Sequence, residues 1–366
     1  MAIHRIARVD VLPAGIPVRP DEDETRGRSQ QHVFLRIETD QGAVGWGEAR
    51  ALPSWTGETL EATVAALSNY FTPALLGKNP FARNAIMAFC EELITGTMAA
   101  AKAAVDTALY DVQGKIAGLP VHEFFGGKRR DLIRLSHSLR SGTPDQIREA
   151  AQKHHDSRCL KVKLSGDPGH DAERVAAVVD GAPNAEIWLD ANQNYTPTSA
   201  LLLLDRVAGY KRIACLQQPV PSRDWLGMAR LRERSPIPIA IDEGFNSPDD
   251  VLRLAPLGVA DMVVLKLCKS GGLRELADTA ALAKAAGFDV LGSGLTESSI
   301  GLAAALHVYS TIDLRLPPQL NGPQYLETLV AEGLVVENGT AIGVPNKPGL
   351  GLEVDEETIR SLAMDL

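Results

Sequence analysis

The sequence predicts an α/β protein: a closed (β/α)8 barrel of the TIM type with an α+β capping domain. Three observations carry this. Short apolar runs rich in Val, Ile and Leu recur near residues 134, 159, 187, 213, 238, 262, 289 and 315, at intervals of 24–28 residues. Such a run reads as a buried parallel strand, and the interval holds one strand, one helix and two loops. Second, Lys163, Asp190, Gln217, Asp242 and Lys266 lie 27, 27, 25 and 24 residues apart, each at the C-terminal end of its run. In a barrel those ends converge on one mouth, where the chemistry sits. Third, the pattern is absent before residue 126, where alternating and helical stretches imply a separate α+β unit.

Taken in order, HRIARVDVL and HVFLRIETD alternate apolar and polar residues, and the second runs through Asp40-Gln41-Gly42 into AVGWGEA. This reads as a hairpin or meander. Between them, GIPVRPDEDETRGRSQ (15–30) reads as a mobile surface loop, with the acidic run 21–24 on its solvated face. ETLEATVAALSNYF and AAAKAAVDTALYDVQGKIAG have helical period, and Gly118 followed by Pro120 stops the second helix. DAERVAAVVDGA, TSALLLLDRVAGY and LRELADTAALAKAAG supply helices between the barrel strands. The last strand is weak, because LRLPPQL carries two prolines. Residues 325–366 are too few to fold alone and are expected to pack back on the first domain. The expected division is a cap at 1–125, a barrel at 126–324 and the tail at 325–366.

Composition bounds the function. With 366 residues, 45% apolar and 23% charged, the chain is an ordinary globular protein. A net charge of -9 argues against nucleic acid or an anionic membrane as partner. No apolar stretch approaches the roughly 20 residues of a membrane span, since Lys102 and Asp106 interrupt MAAAKAAVDTALYDV. The N-terminus has no secretory apolar region, so the cytoplasm is expected. Cys90, Cys159, Cys215 and Cys268 lack metal-ligand spacing and read as buried reduced thiols. His154 and His155 read as surface residues of an exposed helix, and His307 as a buried helix residue.

The chemistry lies at the strand ends. Side chains two apart on a strand share a face, so Lys161 and Lys163 point together, as do Asp190 and Asn192. Inward charges need partners. A structural salt-bridge layer is the bland alternative, and the further polar residues at matching strand ends argue against it. Two lysines facing carboxylates across a barrel suit metal-assisted proton transfer. A proton α to a carboxylate is too weakly acidic for an amine in water, but a hard cation neutralises the enediolate as it forms. A lysine near such a cation and a second lysine has its pKa pushed down into the range of a base.

On GWGEA (45–49), AKAAVDTALYDVQGKIAGLPV, KVK, LDAN, QQP, IDE, LKLCKSGG, GLTESSIG (294–301) and PGLGLEVD, the chain resembles the enolase superfamily. The resemblance is to its muconate-lactonizing-enzyme subgroup, within the mandelate racemase/muconate lactonizing enzyme family. It implies that Lys163 and Lys266 are acid/base groups on opposite faces of the substrate, with Lys161 beside Lys163. Asp190, Gln217 and Asp242 would ligate Mg2+, or Mn2+. Asn192 and Glu297 would line the site, and Trp55 would be either a loop anchor or a specificity wall. Segments 15–30 and 52–59 would close over the substrate.

The implied reaction is abstraction of a proton α to a carboxylate, through an enediolate, giving isomerisation of a small carboxylic acid by racemisation, epimerisation or muconate-type cycloisomerisation. β-Elimination and a catalytically impaired carboxylate-binding barrel are the alternatives. Barrel enzymes of this kind are often symmetric assemblies, so a homo-oligomer is expected. LNGPQYLETLV looks like muconate cycloisomerases. Dipeptide epimerases carry a D-x-D on the eighth strand, where this chain is read as Asp313-Leu314-Arg315. One position departs from the family: Gln217-Gln218-Pro219 stands where Glu-Gln-Pro is usual. The amide brings no charge, so cation affinity should fall unless another ligand, such as Glu243, steps in.

Overall fold

A computed structural model describes residues 4–19, 29–139, 141–337 and 339–365. β1 (Ile6–Pro17), β2 (Ser29–Thr39) and β3 (Val44–Ala49) form an antiparallel meander. The β1–β2 ladder runs as far as Pro17 opposite Ser29. Both ends of the segment read as a surface loop are therefore strand, and the acidic run 21–24 lies outside the described residues.

The helix Ala99–Ala117 lies against β3. Small residues on both elements allow the approach. A Cβ on Gly45 would fall 2.3 Å from the Ala108 carbonyl oxygen, and one on Gly47 would fall 1.9 Å from that of Ala104. Gly47→Ala should therefore force strand and helix apart. Overpacking of this kind costs about 1–3 kcal/mol, and a thermal melt should show a Tm several degrees lower. An unchanged Tm would mean that this seam is loose. The helix ends at Gly118, whose φ of 72° makes the left-handed cap anticipated from Gly118 and Pro120.

β4 (Leu132–Arg134) pairs antiparallel with the strand Ala341–Gly343. It is not the first barrel strand, although the sequence places that strand near residue 134. Leu135 N–H and Ser136 N–H bond to Thr340 and Pro318 carbonyls, and the chain then enters the barrel as β5 (His137–Leu139). β6 (Cys159–Lys163), β7 (Glu186–Asp190), β8 (Ile213–Gln217), β9 (Ile239–Ile241), β10 (Met262–Lys266) and β11 (Asp289–Ser293) follow. They form a parallel sheet in sequence order with β5.

The eighth position, expected as a strand near 315, is an irregular segment. Pro317 and Pro318 have no N–H to give a ladder. Arg315 and Gln319 donate to Val290 and Gly292 of β11, and Pro318 accepts from Ser136, so the segment still closes the barrel.

Strand alternation sorts the interior. Cys159, Trp188, Cys215, Ala240, Met262, Val264 and Leu291 fill the barrel axis, while Leu160, Val162, Leu189, Leu216, Val263 and Leu265 face the helices. All four cysteines are buried and free. The same period of two carries Lys161, Lys163, Asp190, Gln217, Asp242 and Lys266 inward at the mouth.

Cap and barrel are joined by buried carboxylates at helix starts. Glu48 of β3 accepts from Ser298 N–H (2.8 Å) and Gly301 N–H (2.7 Å), and pairs with His32 (2.7 Å). Asp106, paired with Arg83, accepts from Leu273 N–H at 2.7 Å. In the tail, Leu350 N–H donates to Asp111 (2.8 Å), which also accepts from Trp46 N–H (2.9 Å). His154 departs from its reading as a surface residue: it ends the helix Pro144–Lys153 and stacks on His137 with ring centroids 3.6 Å apart. His307 is buried in its helix, as read from the sequence. Among the described residues no helix is long and apolar enough to cross a membrane.

Candidate active site

The inward side chains at the barrel mouth form one ion-pair network. Lys161 and Lys163 of β6 both reach Asp190 Oδ2 on β7, at 3.0 and 2.6 Å. Lys163 also donates to Asn192 Oδ1 (2.6 Å), whose Nδ2 donates to Glu243 Oε1 (3.1 Å). Opposite, Asp242 Oδ2 accepts from Lys266 Nζ and from Gln217 Nε2, each at 2.6 Å. Asp190, Gln217 and Asp242 are fully buried. Positive φ values cluster at these strand ends, on Asn192, Gln193, Gln218 and Thr296. Non-glycine residues held there mark functional corners in many folds.

Electrostatics separate the two lysines. Burial, helped by Lys161, pushes Lys163 down to about 8 against the opposing pull of Asp190. About a quarter of the Lys163 side chain still meets solvent. For Lys266 burial acts downward too, but Asp242 and Glu243 outweigh it and hold the amine above the ordinary lysine value. Burial alone would raise Asp190, yet Lys161 and Lys163 keep it below the usual carboxylate range. Burial raises Glu243, and Asp242 and Asp190 add to the effect.

Trp55, in the single helical turn Pro53–Thr56, covers both lysines. Lys163 Nζ lies 4.9 Å and Lys266 Nζ 4.6 Å from its ring centroid. A cavity of about 200 Å³ opens beside it, lined by Gln30, Leu52, Trp55, Lys163, Gln319 and Asn321 among others. Glu297 does not line this cavity. It is buried behind it, accepts from Leu295 N–H at 2.7 Å, and is pushed up to about 7 mainly by burial.

Three groups escape a reading of strand ends. Lys269 donates to Asp242 Oδ1 (2.6 Å) and to its carbonyl (2.5 Å), because the turn Leu267–Ser270 folds it back beneath the site. Its signal was the second lysine of LKLCKSGG, three residues after Lys266. Gln319 accepts from Ser293 Oγ (2.9 Å) and lies 3.5 Å from Lys161 Nζ. Asn321 lines the cavity with it. These two correct the position assigned to the eighth-strand pair: Asp313 is instead exposed and pairs with Lys284 at 3.0 Å. Gln319-Leu320-Asn321 is the sequence that meets the mouth, and it carries no acid.

The donor set for a cation is all oxygen. Among the described residues no three carboxylate, imidazole or thiolate side chains meet closely enough to form a metal cage. The third position is an amide, and lysines occupy both aspartates. Gln217 Oε1 is nonetheless buried with no hydrogen-bond partner. An orphaned carbonyl oxygen on the strand between two buried aspartates fits a hard divalent cation, which replaces such missing bonds.

Comparison with known proteins identifies the family. Residues 8–126 match the mandelate racemase/muconate lactonizing enzyme N-terminal domain, and residues 145–358 match the enolase C-terminal domain-like family. The chain is 32% identical to N-succinyl-L-Arg/Lys racemase of Bacillus cereus, over 91% of this chain and 90% of that protein. It is also 32% identical to muconate cycloisomerase 1 of Pseudomonas putida, over 92% and 91%. The solved structure of muconate lactonizing enzyme from Pseudomonas putida superposes with a TM-score of 0.91 at 30% identity, covering 98% of this chain and all of that one. With both halves matched and these relatives aligned over nearly their whole length, the chain belongs to the muconate-lactonizing subgroup of the enolase superfamily.

Proposed function

We propose that this protein is an isomerase that moves a proton at the carbon α to the carboxylate of a small acid. The observation that carries the reading is the contrast between Lys163 and Lys266. Both approach one indole ring, yet one amine is drawn towards neutrality and the other is held protonated. A neutral amine and an ammonium facing one spot are a base and an acid in waiting. Lys163 takes the proton, and Lys266 returns one from the other face. Asn192 and Asp190 hold the Lys163 amine in place, and Lys161 keeps its proton affinity low. Trp55 excludes water from between the lysines. Gln30, Leu52 and Trp55 of the cap close the site, and the barrel carries the chemistry.

Asp190, Gln217 and Asp242 would hold Mg2+ or Mn2+. When bound, the cation supplies positive charge beside the carboxylate as the enediolate develops. The relatives named above are a racemase and a cycloisomerase, and a single proton-transfer lysine also serves the second reaction. The test is solvent-deuterium exchange at the α-carbon across a set of small carboxylates with Mg2+ present. Exchange into at least one acid is expected, and it should vanish on chelation with EDTA after exhaustive dialysis. Equal exchange with and without the chelator would remove the cation from the proposal. No exchange into any acid would remove the isomerase reading.

A further inference from the structure

We infer that Glu243 provides the cation site with the negatively charged oxygen that Gln217 lacks. The inference rests on the function proposed above. β7, β8 and β9 are consecutive neighbours in the sheet. The hydrogen bond from Asn192, beyond the end of β7, to Glu243, beyond the end of β9, therefore crosses the end of β8, where Gln217 sits. The Glu243 carboxylate, held by Asn192, thus lies beside the strand ends that carry Asp190, Gln217 and Asp242.

Two acceptors at these strand ends are unmet. Gln217 Oε1 is buried with no partner, and so is Glu243 Oε2. Buried acceptors left without donors are rare and costly, and two at neighbouring strand ends call for a shared positive partner. The lysines do not serve them: Lys163 and Lys161 are on Asp190, and Lys266 and Lys269 are on Asp242. Gln217 commits its amide nitrogen to Asp242, which leaves only its oxygen for a cation. The carboxylates of Asp190, Asp242 and Glu243 do not form a cage in this conformation, and would supply three negative charges once Glu243 Oε2 turns inward. Glu243 leans on Asn192 through Oε1 alone, so turning Oε2 inward costs one hydrogen bond.

Mn2+ binding, followed by the loss of its free-ion electron paramagnetic resonance signal, tests this without any substrate. The proteins are the full chain, Glu243→Gln, Glu243→Asp, Gln217→Glu and the double variant Gln217→Glu/Glu243→Gln. Glu243→Gln should bind Mn2+ at least roughly tenfold more weakly, the lower range for losing a group that supports a metal site. Glu243→Asp keeps the charge and should fall between the two. Gln217→Glu should rescue Glu243→Gln by a larger factor than it improves the natural chain, because the two carboxylates serve one ion.

Mn2+ bound equally by the natural chain, Glu243→Gln and Glu243→Asp would overturn the inference and leave the proposed function standing. Tight, Glu243-dependent Mn2+ binding with no α-proton exchange would overturn the proposed function and leave the inference standing. A natural chain that fails to bind Mn2+ while Gln217→Glu binds it would overturn the inference, since Glu243 would then not replace the missing charge. If Glu243→Gln does not fold, Glu243→Asp against Gln217→Glu decides on the same readout.

Discussion

Lys266→Ala and Lys163→Ala are each expected to lose turnover by on the order of 10²–10⁴-fold, the usual contribution of a positioned acid or base. The fold should survive, because each aspartate has a second cation. Without Lys266, Asp242 keeps Lys269 at 2.6 Å and Gln217 at 2.6 Å. Without Lys163, Asp190 keeps Lys161 at 3.0 Å. A buried carboxylate stripped of its only partner would cost several kcal/mol, and the doubled pairing avoids that. The single variants should also differ from each other. If transfer runs from one face to the other, Lys266→Ala still exchanges the α-proton that Lys163 can reach, and exchange becomes specific for one enantiomer. Nuclear magnetic resonance of each enantiomer in deuterated buffer reads this directly. Full turnover in Lys266→Ala would discard the two-base arrangement and favour cycloisomerisation or elimination, which need one lysine.

The groups legible in the sequence are those that strands carry. Lys163, Asp190, Gln217, Asp242 and Lys266 each end an apolar run, and the period of two turns them inward together. What escaped depends on partners distant in sequence. LIRLSHSL is one apolar-leaning run, yet its first part pairs with Ala341–Gly343 and only its second part joins the barrel. Nothing within eight residues announces that break. Pro317 and Pro318 weakened the eighth strand on sight, but its alignment with β11 sets which residues reach the mouth, and that alignment appears only in three dimensions. Gln319, Asn321 and Lys269 arrive on irregular segments, where no period assigns a direction. Trp55 left two roles open. Its ring lies over both lysines and lines the cavity while it also packs against the core of the cap, so the structure gives it features of both roles, which its position in a polar loop could not show.

The rate of α-proton exchange should rise about tenfold per pH unit up to a limb near the Lys163 pKa of about 8, then level off. The sign follows from the role. A base works only when neutral, and an amine whose pKa lies near 8 is mostly protonated at pH 6 and mostly neutral at pH 9. Positive charge held at the aspartates lowers that pKa further, so at saturating Mg2+ the limb falls at or below about 8. Lys161 fixes how the limb should move. Burial is the larger cause of the low value, and it stays when Lys161 is replaced by the apolar Met. The like charge of Lys161 disappears, and Asp190 turns wholly to Lys163. Both changes favour the protonated amine. Lys161→Met should therefore move the limb to higher pH and slow exchange at pH 7, while the plateau at high pH falls less. Removal of a carboxylate-binding contact alone would lower the whole profile without moving the limb. Exchange that falls as pH rises from 6 to 8 in the natural chain, or a limb that moves to lower pH in Lys161→Met, would take Lys163 out of the role of base.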